Sequence, residues 1–323
     1  MGARHRGRRR PLALAGRAAL AVGAAGVVGV GYGLWEAENR VLRRHSLAVL
    51  PAGSAPIRVL HLSDIHLLPH HAGRMRWIRE LDRLAPDLVV NTGDNIAAAA
   101  SIGPLLEALG PLLDRPGVFV PGSNDYYEPK SANPFRYFAG PSRLDEDRPH
   151  LPTEQLFGAF RAAGWADLTN RSARVRAGAE GAAVEVLAVG TDDPHLGLDD
   201  WPGFTDAGEK EGSAAERSGQ EPVLRLGVTH APYRRVLDAM VADGAGLVLA
   251  GHTHGGQVCL PFVGALVTNC DLPRRQASGL SSWSAQGRTA PLEVCAGLGA
   301  APSMPVRTFC RPEAVLLELT ARP

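Results

Sequence analysis

The chain has 323 residues, 45% of them hydrophobic, enough to bury a full core in one large α/β domain or two small ones. Its 34 basic and 33 acidic residues leave a formal net charge of +1, so no overall field draws it to nucleic acid or repels it from a membrane. Electrostatic arguments are therefore local.

The first local signal is at the start. Arg4, Arg6, Arg8, Arg9 and Arg10 precede an apolar run from Leu12 to Trp35 that is broken only by Arg17. As a helix rising about 1.5 Å per residue, the charge-free stretch from Ala18 to Trp35 comes close to the ~30 Å hydrocarbon core of a bilayer, and Arg17 can snorkel to the headgroups. This predicts a basic cytoplasmic tail over 1–10 and a transmembrane signal anchor over 11–35, with the arginines inside. A cleaved signal peptide is the rival reading, because Ala and Gly offer small-residue cleavage sites. Either one places the rest of the chain outside the cytoplasm, and the anchor makes it a single-pass protein of the cytoplasmic membrane.

Residues 36–56 read as a connector. "IRVLHLSDIH" is then a near-continuous apolar strand with polar groups at its C-terminal end, as expected of a buried strand. "RMRWIRELDRLAPD" has apolar residues at helical spacing, "LVVNTGDN" repeats the strand-then-polar-turn pattern, and "IGPLLEALGPLLDR" and "GVFVPGSND" supply the next helix and strand. That alternation predicts a layered α/β sheet covered on both faces. The irregular span from Glu128 to Gln155 is long enough to cap a site. "LFGAFRAAGWADLTN" is a helix leading to a turn, "ARVRA" and "VEVLAVG" form a hairpin, and the polar stretch from Trp201 to Glu221 is a loop. "LRLGVTHAP", "GLVLAGHTHGGQ", "LEVCAGLG" and "EAVLLELT" complete the strands. Cys259, Cys270, Cys295 and Cys310 match no zinc-ribbon spacing; they are compatible with disulfides or with ordinary buried thiols.

Metal-binding residue types cluster at the strand ends. Asp64 and His66 follow the first strand, Asp94 the second, His230 a later one, and His252 and His254 the one after that. Side chains two apart in extended chain point to the same side, so each i, i+2 pair can face one cleft. Open α/β sheets place their sites at the carboxyl ends of strands. Mixed oxygen and imidazole ligands suit Mn, Fe or Zn better than Ca, and the residues suffice for two ions sharing one carboxylate ~3.5–4 Å apart, with Asp94 the natural bridge.

"SDIH", "TGDN", "PGSND", "THAP" and "GHTHGGQ" resemble, in order and spacing, the five motifs of the calcineurin-like metallophosphoesterases. The similarity runs from Ile57 to Leu319, giving a catalytic domain over 57–323, and the chain looks like the membrane-anchored or exported bacterial phosphodiesterase branch. The resemblance implies a four-layer α/β fold: a β-sandwich of two mixed sheets flanked by helices. It implies two divalent transition-metal ions, Mn, Fe or Zn. Asp64, His66 and His254 would hold one, His230 and His252 the other, and Asp94 would bridge them. It also implies in-line attack of a metal-bound hydroxide on the phosphorus of an envelope-associated small-molecule, lipid or cell-wall substrate. The balanced charge disfavours nucleic acid.

"VFVPGSNDYY" departs from the family. Where the pattern usually reads Gly-Asn-His-Asp, Ser123 falls on the ligand position and Asn124 on the histidine that serves the leaving group. A one-residue adjustment lets the Asn124 amide oxygen reach the second ion, which is the favoured reading over Ser123. Asparagine is no acid, and losing general-acid help costs about 10²–10⁴-fold for a poor leaving group. His195, after "GTDDP", is the first candidate to compensate; His150 and Tyr126 are others. A relative that binds metal or a phosphorylated ligand without catalysis is the alternative reading.

Overall fold

The computed structural model describes residues 23, 26–130, 147–204, 223–301 and 304–323. Helix α1 covers residues 26–38, followed by β1 (Val41–Leu50) and β2 (Ile57–Leu62). Next come α2 (Ala72–Glu80), β3 (Leu88–Asn91), α3 (Ile102–Leu109), β4 (Gly117–Phe119) and the single turn α4 (Ser123–Tyr126). α5 (Thr153–Ala162) and β5 (Ala166–Asp167) lead to the hairpin of β6 (Arg171–Ala177) and β7 (Val184–Gly190). β8 (Leu224–Val228), α6 (Arg234–Ala242) and β9 (Leu247–Ala250) follow, then a small hairpin of β10 (Cys259–Leu260) and β11 (Gly264–Ala265). β12 (Gly279–Ala285), β13 (Arg288–Val294) and β14 (Glu313–Ala321) end the chain.

Two six-stranded sheets result, in the orders β1-β14-β2-β3-β4-β5 and β12-β13-β9-β8-β7-β6. Both are mixed. β2, β3 and β4 run parallel with β14 antiparallel to β2; β7, β8, β9 and β13 run parallel, with β6 and β12 antiparallel at the edges.

The period-2 alternation of strands sorts their side chains into layers. Val59, Val90 and Val118 of the first sheet meet Val186, Val228 and Leu249 of the second between the sheets. Leu60, Val89 and Phe119 point the other way, against Ile78, Leu105 and Phe160 of the helices. Leu187 and Val248 pack outward on Leu237 and Met240 of α6. This is the four-layer α/β sandwich the sequence implied, and its doubly covered strands explain why they read as continuous apolar runs.

Two strands of more than two residues were hidden in the sequence. The segment expected to be a connector contains β1, which pairs in parallel with β14 from Val41 opposite Glu313 to Ala48 opposite Thr320. Arg43 and Arg44 mask its apolar positions, and charges are tolerated there because β1 is an edge strand. β12 is the edge of the other sheet, where "GLSSWSA" alternates with solvent. The expected anchor over 11–35 lies mostly outside the described residues; among those, no helix is long and apolar enough to cross a membrane. Residues 131–146 of the expected cap and 205–222 of the expected loop also lie outside them.

One polar contact crosses the sandwich below the strand ends. His61 on β2 places Nδ1 2.5 Å from Glu293 Oε2 on β13, and its Nε2 lies 2.9 Å from Thr92 Oγ1. Both side chains are fully buried. Leaving such a group without its partner costs about 1–3 kcal/mol. The His61→Ala substitution should therefore lower stability by at least that amount, read as a reduced urea midpoint with little change in slope. A variant as stable as the parent would show that this contact contributes nothing to holding the sheets together.

Candidate metal centre

The loops after β2, β3, β4, β8 and β9 meet at one end of the sandwich. Their backbone is unusual. Asp64, His66, Asp94, His252 and His254 have φ of 48°, 41°, 55°, 68° and 50°, all in the left-handed region. The i, i+2 pairs therefore do not converge through extended pleating, as the sequence suggested, but through left-handed backbone at both members of each pair. Non-glycine residues pay about 1–3 kcal/mol each for such backbone, and they cluster at functional sites.

Backbone contacts hold these turns. Asp64 N donates to Gly93 O and His66 N to Asp94 O, each at 2.9 Å, which locks the first loop onto the second. His252 N donates to Asp64 Oδ2 at 2.9 Å, tying the second sheet's loop to the first sheet's carboxylate. Asp64 is wedged between glycines: a Cβ on Gly251 would fall 2.6 Å from Asp64 Oδ2, and one on Gly297 2.5 Å from Asp64 Cβ.

The donor atoms form two overlapping groups, Asp64 with His66 and His254, and Asp64 with Asp94 and His230; within each, all lie within 4.8 Å of one another. His254 Nε2 is 3.4 Å from Asp64 Oδ1, while His66 Nε2 and His230 Nε2 are 3.4 and 3.6 Å from Asp94 Oδ2. All five side chains are buried. Asp64 Oδ1 and His230 Nε2 have no hydrogen-bond partner among the described residues. His230 Nδ1 lies 2.6 Å from the Thr92 carbonyl and donates to it, which leaves Nε2 as the ring nitrogen facing the cluster. Buried donors without partners, of oxygen and imidazole type, fit a divalent transition-metal ion.

Electrostatics reflect the crowding. Burial works to raise the Asp94 pKa, yet His230, His66 and two hydrogen bonds from Asn124 hold it below the ordinary carboxylate range. Burial would lower His230, but Asp94, Asp193 and Asp64 outweigh it and push the imidazole up to about 9. Burial lowers His66, His252 and His254, which are neutral at pH 7.

The remaining expected residues take different places. His252 belongs to neither group: its Nε2 is 3.2 Å from the Asn269 carbonyl, and its ring centre is 5.1 Å from that of His230. Asn124 N and Nδ2 donate to the two oxygens of Asp94, each at 2.7 Å. Its amide oxygen, expected to meet an ion, accepts from Arg148 Nη2 at 3.0 Å instead. Ser123 is buried beside it, with Oγ 3.4 Å from Asn124 Nδ2. The fold does bring His195 to the cluster, its ring centre 4.6 Å from that of His252, with Nδ1 3.1 Å from the Tyr233 hydroxyl. Burial pushes His195 down to about 4, so at pH 7 it is a neutral hydrogen-bond donor rather than an acid. Tyr126 donates to Asp192 at 2.8 Å, and His150 lies against the Tyr127 ring; neither reaches the cluster.

Three residues escaped the sequence reading. Asp125 accepts from the backbone N–H groups of Asp94, Asn95 and Gly122 and so sets the Asp94 turn; burial, then the charge of Asp94, raises it to about 7. Its place in "PGSND" was the available signal. Arg307 is fully buried, donates to the carbonyls of Ala296, Gly297 and Gly299, and has Nη2 3.1 Å from His254 Nδ1. Arg148 lies in the cap, where nothing in the composition marked it. All four cysteines are free, and Cys259 and Cys310 both reach the Gly255 carbonyl, with Sγ at 3.3 and 3.5 Å.

The family whose model matches this chain is described as "Calcineurin-like phosphoesterase", over residues 57–256. A "Transmembrane protein with metallophosphoesterase domain" of Danio rerio is 27% identical over 214 residues, covering 65% of this chain and 43% of that protein. A protein of the same description from Bos taurus is 29% identical over 231 residues, covering 68% of this chain and 45% of its own length. The chain thus spans less than half of either relative. Among solved structures, TT1561 of Thermus thermophilus overlaps with a TM-score of 0.39 at 12% identity, covering 76% of this chain and 91% of that one. Purple acid phosphatase PPD1 of yellow lupin overlaps with a TM-score of 0.39 at 10% identity, covering 84% and 55%. Overlaps this loose carry no argument about chemistry.

A metal ion bound at His230 would displace the proton that this imidazole holds below pH about 9. Metal affinity should therefore strengthen about tenfold per pH unit up to that pH and level off above it. Calorimetry in buffers of different ionisation heat should count about one proton released per bound ion near pH 7. An affinity independent of pH between 6 and about 8 would mean that His230 is not a ligand.

Proposed function

Because the chain belongs to the calcineurin-like phosphoesterase family, we propose that it is a metal-dependent hydrolase of phosphodiesters or pyrophosphates. One observation carries this reading: Asp64, His66, Asp94, His230 and His254 converge with Asp64 Oδ1 and His230 Nε2 unpartnered and buried. Two ions would be held, one by Asp64, His66 and His254, the other by His230 with His252, and Asp94 shared between them. When bound, two such ions supply an activated water and neutralise charge on the phosphate oxygens.

The chain's own residues would handle the rest. Asp125 holds the backbone N–H of Asp94 and the Asn124 backbone N–H holds its Oδ1, so the carboxylate proposed as shared is oriented before substrate arrives. A half-turn of the Asn124 amide about its last bond would exchange nitrogen for oxygen and present the oxygen to the second ion, while Arg148 stays within reach to offset charge beside it. His195 would hydrogen-bond the substrate from the His252 side. None of these is a strong acid at pH 7, which favours substrates whose leaving group departs as an anion without a proton, such as a phosphate or an acidic alcohol. The basic N-terminal arginines and the charge-free stretch after them support a single-pass anchor in the cytoplasmic membrane with the catalytic domain outside, as in an exported bacterial branch; the relatives described as transmembrane proteins agree with membrane association. The substrate is then a phosphorylated small molecule, lipid or cell-wall component.

Full-length protein supplied with Mn should hydrolyse an aryl phosphodiester. Asp94→Asn and His252→Ala should each reduce the rate by about a hundredfold or more, with the circular dichroism spectrum unchanged. His195→Ala should change the rate modestly and leave the pH profile in place. A metal-replete protein inactive on diesters, monoesters and pyrophosphates would instead fit a relative that binds metal or a phosphorylated ligand without catalysis.

A further inference from the structure

Helix α1 is fixed to the body along one side only. Gly33 lies so close to the C-terminal loop that a Cβ there would fall 2.9 Å from Val306 Cβ, and its carbonyl accepts from Arg307 N. The buried Glu36 carboxylate accepts from Cys310 N at 2.6 Å. The other side is apolar and bare: Val27 and Val28 are 74% and 71% exposed, and Val30, Leu34 and Trp35 continue the same surface.

A cleft of about 1000 Å³ separates α1 from the β10–β11 hairpin, lined by Tyr32 and Trp35 on the α1 side and Leu260, Phe262 and Val263 on the hairpin side, with Arg43, Arg311 and Glu313 among its polar residues. The hairpin pairs Leu260 with Gly264, so its tip is Pro261, Phe262 and Val263. Phe262 is 108% exposed and Val263 65%. Phe309 lines the same cleft, also exposed, with its ring 5.6 Å from that of Tyr32 on α1. Phe262 and Phe309 both adopt left-handed backbone, at φ 64° and 50°. A bulky residue pays for that conformation, and a water-facing tip would be cheaper with Gly or Asn. Exposure and strain therefore coincide at the same two aromatic residues.

Exposed Arg274 and Arg275 line the cleft as well. On a chain of net charge +1, two guanidinium groups beside an apolar surface are a local feature. Residues 1–22, with their arginines and the start of the charge-free stretch, precede α1 in the chain. An apolar surface with aromatic residues, bordered by arginine, is the pattern of a segment lying in the membrane interface.

The geometry points to a lipid contact of the folded domain itself: the β10–β11 tip rests in the interface of an acidic phospholipid bilayer, with Arg274 and Arg275 at the phosphate level. The apolar stretch read as an anchor runs from Ala18 to Trp35 and so ends in α1, which places the end of the anchor and the tip on the two sides of one cleft. The lipid contact also bears on the metal cluster, because the hairpin continues the loop that carries His252 and His254. A Cβ on Gly256 would fall 2.4 Å from Ala265 Cβ, so loop and hairpin pack backbone to side chain. On the phosphoesterase reading, the bilayer would hold the cluster at a fixed orientation toward membrane-borne substrates.

The test reads position 262 directly, so an upstream anchor does not confound it. Full-length Phe262→Trp protein is reconstituted into vesicles of equal parts phosphatidylcholine and phosphatidylglycerol, with or without brominated acyl chains, and the wild-type fluorescence is subtracted. The added tryptophan should be quenched about twofold or more by the bromines, and Val263→Trp should behave alike. Adding Arg274→Glu and Arg275→Glu should largely remove the quenching. An added signal indifferent to bromine at both positions overturns the proposal, including the case in which residues 1–22 or a second copy cover the tip. Phe262→Asp should leave hydrolysis of a soluble aryl diester unchanged, so an inactive enzyme with intact quenching would refute the hydrolase reading alone.

Discussion

Asp64, His66, Asp94, His252 and His254 all sit at positive φ, and much of the molecule is arranged to keep them there. At the low end of about 1 kcal/mol each, the strain of five such residues is comparable to the smallest net stability of a folded domain, about 5 kcal/mol. It must be met by rigid surroundings. The parallel strands deliver the chain to the turns, the backbone of Asp64 and His66 is bonded to the Gly93–Asp94 turn, and Asp125 gathers three N–H groups from the loops after β3 and β4. Gly251 and Gly297 let other backbone segments close on Asp64 where any side chain would collide. The His61–Glu293 contact joins the two sheets just beneath.

Bringing these groups together concentrates buried charge. Asp64 and Asp94 are both buried, His230 is driven to about 9 by the carboxylates around it, and Asp64 Oδ1 and His230 Nε2 have no hydrogen-bond partner among the described residues. A bound cation would relieve each of these costs at once, replacing the His230 proton with a charge that also satisfies the carboxylates. Anything that binds the folded state alone stabilises it, so the strain in the turns and the affinity for an ion are coupled through the same residues.

The chemical residues were legible because the strand rhythm and the polar ends of "HLSDIH", "VVNTGDN" and "LAGHTHGGQ" are local patterns. The way they converge was not. Pleated i, i+2 alternation was the natural inference for Asp64 and His66, yet the observed φ values are set by contacts with Gly93, Asp94 and Gly297 from distant parts of the chain. Arg307 was invisible for the same reason: a buried guanidinium held by backbone carbonyls leaves no periodicity to read. β1 was lost because an edge strand can carry arginine outward, and its pairing with β14 joins residues 272 apart.

The "PGSND" turn is where local and distant constraints meet. Its aspartate, Asp125, does what the turn requires of any sequence at this place, bonding the backbone that shapes the Asp94 loop. Its asparagine departs from the family pattern, but Asn124 bonds both oxygens of Asp94, so the Asp94 carboxylate is oriented with asparagine at this place. Where the family pattern implies an ionisable ring, the Asn124 amide oxygen here accepts from the Arg148 guanidinium, which carries charge but yields no proton. On the proposed hydrolase reading, such a site would stabilise a departing anion without protonating it, and its selectivity would follow the acidity of the leaving group rather than the strength of a general acid.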